Sequence, residues 1–225
     1  MWGSTPNHAE VHYRHKCRAA KTGLVKDCEF MSNNGTLTAE PKTKPALKLD
    51  FGCGPNPKEG FEGVDQYAFD GKVKHVRDIR KRFPWKDNSV DEAHSAHFVE
   101  HLTAEERCHF FNELWRVLKP GAKATIITPH WCSTRAYGDP THQWPPVSEM
   151  FYLYLQKPWR ESQAPHTDAK NWEKGYCCDF EGGVVGYNPN PLFQQEGRNA
   201  TYIQFAMNWY KEAAADSIAI ITKKP

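Results

Sequence analysis

The 225-residue sequence contains no apolar run long enough for a membrane-spanning helix. One of its longest runs, residues 124–127, has only four residues, whereas a helix needs about 20 to cross a bilayer. The start, Met1-Trp2-Gly3-Ser4, also lacks the basic and apolar regions of a signal peptide. We therefore expect a cytoplasmic protein without a membrane partner.

The sequence also lacks an excess of charge of one sign. Its 29 Lys and Arg nearly balance its 27 Asp and Glu, which leaves a net charge of +2. Dedicated nucleic-acid binders generally carry a clear basic excess. Charge alone therefore indicates no partner.

The seven cysteines do not form a disulfide pattern. Their number is odd, and Cys53, Cys108 and Cys132 fall in a predicted glycine turn, helix and strand end. Such scatter is typical of free thiols in a reducing compartment.

The sequence divides into a polar arm and a folded domain. Residues 1–45 show little apolar periodicity and end in the linker-like segment 41–45, so the domain is predicted to span residues 46–225. An insertion or lid rich in Pro, Trp and Asp is predicted at about residues 135–171.

Short apolar runs alternate with turn residues in the domain. Strands are predicted at 47–51, 63–65, 73–79, 90–96, 122–128 and 217–222, helices at 104–118 and 147–155, and a helical or loosely ordered segment at 200–214. Strands interleaved with crossovers indicate an α/β fold with a parallel sheet. The helix at 104–118 is the clearest, because Thr103 and Glu106 form a capping-box pattern and Lys119-Pro120-Gly121 predicts its end.

A glycine turn follows the first predicted strand. Gly52 and Gly54 let backbone amides approach a ligand and accept a positive φ. Asp50 precedes this turn, and Asp65 ends the next strand, where a carboxylate can accept hydrogen bonds from a ribose diol. Together these residues predict a nucleoside-binding site.

Four motifs in order resemble those of class I S-adenosylmethionine-dependent methyltransferases, of the methyltransferase type 11 kind. They are Leu49-Asp50-Phe51-Gly52-Cys53-Gly54-Pro55, the segment 83–91, Glu100-His101-Leu102, and the segment 114–121. The resemblance covers about residues 46–130. It implies a Rossmann-like, doubly wound, mostly parallel seven-stranded sheet with an antiparallel last strand, and S-adenosylmethionine as cofactor.

The resemblance also implies the residues that bind the cofactor. Asp50, Gly52 and Gly54 would hold the amino-acid moiety, and Asp65 the ribose hydroxyls. Asp78 and Ile79 would face the adenine edge, and Ser95, Ala96 and His97 would lie beneath the sulfonium. An alternative for Asp50 and Asp78 is a structural role as turn or cap carboxylates.

One departure from the family concerns the first crossover. Ten residues separate Gly54 from Asp65, and a crossover helix between parallel strands needs about a dozen or more. We therefore expect a loop in its place, with amides from residues 54–58 holding the methionine end of the cofactor.

Two histidines are candidates for the catalytic base. His130 follows a predicted strand end and His142 lies in the insertion, and histidine is well suited to proton removal near neutral pH. Both could instead be packing or capping residues. No metal ligand is assigned, because the histidines and cysteines of the arm lack zinc-site spacing and the triplet His94, His97, His101 spans a predicted strand and helix start.

The leading hypothesis is a methyltransferase that acts on a small molecule or biosynthetic intermediate, with the insertion forming the acceptor pocket. One alternative is a non-catalytic Rossmann-like binding or scaffold module. Another is a nucleic-acid or protein methyltransferase guided by the polar arm. The sequence leaves the oligomeric state open.

Overall fold

The computed structural model describes residues 45–193 and 198–225. Residues 1–44 of the predicted polar arm, which include the possible zinc ligands His8, His12, His15, Cys17 and Cys28, lie outside the described residues. None of the helices in the described part is both long and apolar enough to cross a membrane.

A seven-stranded sheet forms the centre of the fold. Its strands are β1 (Lys48–Phe51), β2 (Glu62–Asp65), β3 (His75–Val76), β4 (Val90–Ala96), β5 (Leu118–Pro129), β6 (Phe180–Pro189) and β7 (Ala214–Lys223). Their order is β3-β2-β1-β4-β5-β7-β6, and β7 runs antiparallel to both of its neighbours while the other pairs are parallel. The predicted α/β, Rossmann-like, mostly parallel seven-stranded sheet is confirmed.

The best-predicted helix, α1 (Ala104–Val117), crosses from β4 to β5. Its capping box is present: Thr103 Oγ1 accepts from the Glu106 amide, and the Glu106 carboxylate accepts from the Thr103 amide. Phe110 and Leu114 lie on its buried face, and the Phe110 ring packs edge-on against Phe51 of β1. Burial of each such side chain contributes about 1.5–3 kcal/mol, so this face fixes α1 on the sheet.

The end of α1 differs from the prediction. The helix ends at Val117 and β5 begins at once with Leu118, so Lys119-Pro120-Gly121 belongs to a strand and not to a turn. Leu118 pairs with Val90, and the register then shifts before Lys123 pairs with Glu92. The unpaired residues form an irregularity in which Gly121 adopts a φ of 78°, a conformation that glycine tolerates.

The connection from β1 to β2 contains turns and no helix throughout its described length, as the short spacing predicts. Two hydrogen bonds close it: the Lys58 amide donates to Asp50 Oδ2 at 2.8 Å, and the Gly52 amide donates to the Val64 carbonyl at 2.8 Å. The loop is therefore anchored to both strands that it joins.

The region after β5 contains four short helices, and their bounds differ from the predicted ones. They are α2 (Arg135–Gly138), α3 (Glu149–Leu153), α4 (Lys157–Gln163) and α5 (Asp168–Asn171). Strand β6 follows and is absent from the prediction, because Gly182, Gly183 and Gly186 weaken its strand propensity. Helix α6 (Ala200–Trp209) ends before residue 214, since Ala214 already belongs to β7.

Candidate functional site

A cavity of about 390 Å³ opens at the carboxyl ends of β1, β2 and β4, and we call it the cofactor cavity. In parallel α/β sheets, this edge is where ligands usually bind. Its walls are formed by Gly52, Asp65, Gln66, Tyr67, Phe69, Asp78, Ile79, Arg80, His97, Phe98, His101, Leu102 and Glu106. Five of the nine predicted cofactor residues are among them: Gly52, Asp65, Asp78, Ile79 and His97.

Gly52 forms the part of the wall nearest to β1. Its φ is 68°, and a Cβ at this position would lie 2.3 Å from Cγ of Phe98. Both the backbone conformation and the close approach of the ring therefore require glycine. This explains why the turn after β1 carries glycine at its first position.

Asp65 is held in place by backbone hydrogen bonds. Oδ2 accepts from the Gly54 amide at 2.9 Å, and Oδ1 accepts from the Tyr67 amide at 3.0 Å. Each carboxylate oxygen keeps further acceptor capacity. The arrangement can therefore present two fixed acceptors to a pair of ligand hydroxyls.

Asp78 and Ile79 also line the cavity. Arg80 donates to Asp78 Oδ1 through its side-chain Nε at 2.9 Å and through its amide at 3.1 Å. The Arg80 side chain holds the pKa of Asp78 below its usual value. A ligand amino group at this end would therefore share an ionised Asp78 with Arg80.

The other four predicted cofactor residues, Asp50, Gly54, Ser95 and Ala96, are not part of the described cavity wall. Asp50 is 3% exposed, and its oxygens accept from the Lys58 amide and from His94 Nδ1, the latter at 2.7 Å. Gly54 acts through its hydrogen bond to Asp65. In this geometry Asp50 anchors the loop, and Gly54 fixes the Asp65 carboxylate.

Several wall residues escaped the sequence analysis. Tyr67 and Phe69 follow Asp65 by two and four residues and pack edge-on with ring centroids 5.9 Å apart. Phe98 directly follows the predicted sulfonium floor, and His101 of the Glu100-His101-Leu102 motif had no predicted cofactor role. These residues could have been predicted from their closeness in sequence to the predicted site residues, because the loop after a strand end often contributes to a ligand site.

A second cavity of about 500 Å³ adjoins the first, and we call it the acceptor cavity. It is lined by His97, Glu100, His101, Pro129, Thr134, Arg135, Gly138, Asp139 and His142. His97 and His101 belong to the walls of both cavities. A group bound in one cavity therefore lies beside a group bound in the other.

His97 lies at this boundary in an uncommon backbone conformation, with a φ of 53° directly after β4. Its amide donates to the Ile127 carbonyl at 2.9 Å, which ties the turn to β5. The Glu100 carboxylate, 3.5 Å from Nδ1, and the Asp216 carboxylate raise the pKa of His97 above its usual value.

The two predicted bases occupy different surroundings. The side chain of His142 is 9% exposed and lines the acceptor cavity, with Nδ1 3.0 Å from the Ala136 carbonyl. His130 is 1% exposed and is part of neither described cavity wall; its Nδ1 lies 3.3 Å from the Cys132 amide and its Nε2 3.4 Å from Glu149 Oε1. Only His142 can meet a molecule in the acceptor cavity without rearrangement.

Comparisons with known proteins agree with this architecture. Residues 63–126 match the sequence profile of a family described as a methyltransferase domain. No curated protein matches the sequence. An S-adenosylmethionine-dependent methyltransferase from Archaeoglobus fulgidus has a similar structure, with 22% identity and a TM-score of 0.53 over 79% of this chain and 86% of the other.

A second methyltransferase structure, from Methanosarcina mazei, is 16% identical, with a TM-score of 0.46 over 79% of this chain and 92% of the other. The likeness to the Archaeoglobus fulgidus structure shows the fold, and the profile match supports S-adenosylmethionine as cofactor and methyl transfer as the activity. The predicted resemblance to class I methyltransferases is confirmed.

Proposed function

We propose that the chain transfers the methyl group of S-adenosylmethionine, bound in the cofactor cavity, to a small polar molecule in the acceptor cavity. The shared His97 and His101 carry this proposal, because they place the two binding volumes side by side. Methyl transfer is an in-line displacement that depends mainly on alignment of the two reactants. Adjacent cavities support such an alignment.

In this proposal Asp65 binds the ribose hydroxyls, and Asp78 with Ile79 faces the adenine. The methionine end lies beside Gly52, the residue of the turn after β1 that lines the cavity. His97 and Phe98 lie where the sulfonium would approach the acceptor. The fixed carboxylate of Asp65 and the close contact between Gly52 and Phe98 support this orientation.

We propose a small acceptor because the cavity that adjoins the cofactor cavity has a volume of only about 500 Å³. A larger, mainly apolar cavity of about 670 Å³ lies between α1 and the insertion. Among the described residues it shares no wall residue with the cofactor cavity, so a molecule bound there would lie away from the methyl group. The histidines, Arg135 and two carboxylates of the acceptor cavity favour a polar acceptor.

The five described cysteines are free, which supports the proposed location in the reducing cytoplasm. Cys53 and Cys132 lie in the two segments that border the candidate site, at the turn after β1 and the loop after β5.

Calorimetric titration of S-adenosylmethionine and S-adenosylhomocysteine tests the cofactor assignment. We expect saturable binding to the wild type and to the control Asp168→Ala, which changes an exposed insertion residue, and a large loss for Asp65→Ala. Binding that Asp65→Ala leaves intact would contradict the proposed orientation. Tight binding without turnover of any member of a broad acceptor panel would favour a scaffold module instead.

A further inference from the structure

Glu100, His101 and His142 form a cluster at the wall of the acceptor cavity. One potential ligand atom from each residue lies within 4.8 Å of the other two. We infer that these three residues bind one divalent transition-metal ion such as Zn²⁺. The sequence analysis assigned no metal ligand, and this inference departs from it.

The hydrogen bond of His142 Nδ1 leaves Nε2 available as a metal ligand, with Asp139 Oδ2 3.9 Å from it. Nδ1 lies 3.0 Å from the Ala136 carbonyl oxygen, which can only accept. Nδ1 therefore carries the proton, and Nε2 carries a lone pair. A backbone carbonyl that fixes a histidine in this way is typical of metal-binding imidazoles.

The same logic applies to His101. The Thr141 hydroxyl donates its proton to Asp139 Oδ1 at 2.7 Å, so its oxygen is available to accept. His101 Nδ1 lies 3.0 Å from that oxygen and is the donor. The lone pair of His101 is therefore on Nε2 as well, which gives the cluster two imidazole nitrogens with lone pairs.

Glu100 supplies a buried carboxylate whose oxygens keep most of their acceptor capacity. The residue is 3% exposed, and neither carboxylate oxygen has a hydrogen-bond partner among the described residues. His97 is a described ion-pair partner of this carboxylate, with Nδ1 3.5 Å from Oε1. A contact at that distance offsets the cost of burying the charge only in part, so the carboxylate can still bind a metal ion.

The guanidinium groups of Arg107 and Arg135 bind partners other than the Glu100 carboxylate. The guanidinium of Arg107 donates to backbone carbonyls, including those of Val99 and Pro145, and Arg135 Nη1 lies 2.9 Å from Asp216 Oδ1. Arg107 also donates to the Gln143 carbonyl, so it joins the loop that carries His142 to the segment that carries Glu100. The cluster is thus held together by a residue outside it.

The donor set selects the class of metal. Two imidazoles and one carboxylate suit Zn²⁺ and other first-row transition metals, whereas Mg²⁺ and Ca²⁺ prefer oxygen ligands throughout. Three protein ligands leave a coordination position open, and the cluster borders the acceptor cavity. A ligand oxygen or nitrogen in that cavity could fill it.

The use of this ion in catalysis rests on the proposed function, whereas its binding does not. An acceptor atom bound to the ion would lose its proton to water more readily. Its lone pair would then form the new bond to the methyl carbon while the carbon–sulfur bond breaks, which leaves neutral S-adenosylhomocysteine. His142 would then act as a metal ligand and not as a base.

Titration of the metal-free full-length protein with ZnCl₂, without S-adenosylmethionine, tests the site. The variants are His142→Ala, Glu100→Gln and the control His166→Ala, which removes an exposed histidine of the insertion. We expect wild type and control to bind one equivalent that both site variants lose or bind at least 100-fold more weakly. Zn²⁺ should raise the Tm of the wild type and control only.

Zinc binding with equal stoichiometry and affinity in the wild type and both site variants would overturn the inference. Any bound zinc would then be assigned to other residues, such as His12 and Cys17 of the arm. Circular dichroism in EDTA checks that each variant folds, and His101→Ala replaces any variant that does not. Titration of the same preparations with S-adenosylhomocysteine separates the two proposals. A variant that loses zinc binding but still binds S-adenosylhomocysteine would not contradict the proposed function.

Discussion

The backbone amide of Gly54 donates a 2.9 Å hydrogen bond to Oδ2 of Asp65. This bond joins the turn after β1 to the end of β2, so the two sequence motifs of the candidate cofactor site form one unit. The geometry of the turn and the direction of the carboxylate are therefore expected to change together.

Asp65→Asn tests this unit with almost no change in volume. An amide group can accept from only one of the two amides that now donate to Asp65, and it loses the charge that strengthens bonds to ribose hydroxyls. We expect S-adenosylhomocysteine to bind about 10- to 100-fold more weakly, the equivalent of about 1.5–3 kcal/mol. Calorimetry measures the change, and unaltered affinity would show that Asp65 does not contact the ribose.

Gly52→Ala and Gly54→Ala form a matched pair. Both glycines have positive φ, but only at Gly52 would a Cβ meet another group, the Phe98 ring. We expect Gly54→Ala to lower the free energy of unfolding by about 1–2 kcal/mol, from backbone strain alone. Gly52→Ala should lower it by about 2–5 kcal/mol, because overpacking adds to the strain. Urea denaturation measures both, and equal losses would argue against the ring contact.

Arg107→Lys tests whether the loop that carries His142 depends on Arg107. A lysine cannot reach the carbonyls of Val99, Gln143 and Pro145 together, and buried carbonyls left without donors should cost about 2–4 kcal/mol. We expect protease cleavage within residues 139–146 to become faster and zinc binding to be lost.

The matched control for this prediction is Arg160→Lys. Arg160 is equally buried and donates to the carbonyls of Tyr154 and Cys178. Its loss should also lower stability but should leave zinc binding unchanged. Loss of zinc binding in both variants would indicate a general effect on folding and not a specific effect on the loop.

Cys53 should be a slow nucleophile at neutral pH. Burial, together with the carboxylates of Asp50 and Asp65, raises its pKa to about 11. At pH 8 only about one Cys53 thiol in a thousand is then ionised, and the thiolate is the reactive form. Alkylation by iodoacetamide can be followed at each cysteine by peptide mass spectrometry. We expect the alkylation rate of Cys53 to increase with pH up to about pH 11. The exposed Cys177 should be modified before Cys53. Equal rates at pH 7.5 would contradict this environment.

Local patterns in the sequence led to five of the residues that line the cofactor cavity. Gly52 and Asp65 belong to short motifs whose chemistry depends on neighbours in sequence, and the periodicity of α1 reports directly on its buried face. The absence of a first crossover helix followed from a residue count alone. Such features depend on residues that are close in sequence, so they can be predicted from local patterns.

Features that depend on distant parts of the chain were missed. Strand β6 is glycine-rich and is stabilised mainly by its pairing with β7, which no local propensity records. The cluster of Glu100, His101 and His142 joins two segments about 40 residues apart through the carbonyl contacts of Arg107. No spacing rule links these residues, and His130, which had the better position in the sequence, is buried against Glu149.

The common wall of the two cavities at His97 and His101 has a thermodynamic consequence. A ligand that fixes these side chains on one side changes the free energy of binding on the other side. Linkage then requires the effect to be reciprocal, so the factor by which the cofactor alters acceptor affinity equals the factor by which the acceptor alters cofactor affinity. We therefore expect the imidazole of His97, held in its left-handed turn after β4, to couple binding in the two cavities.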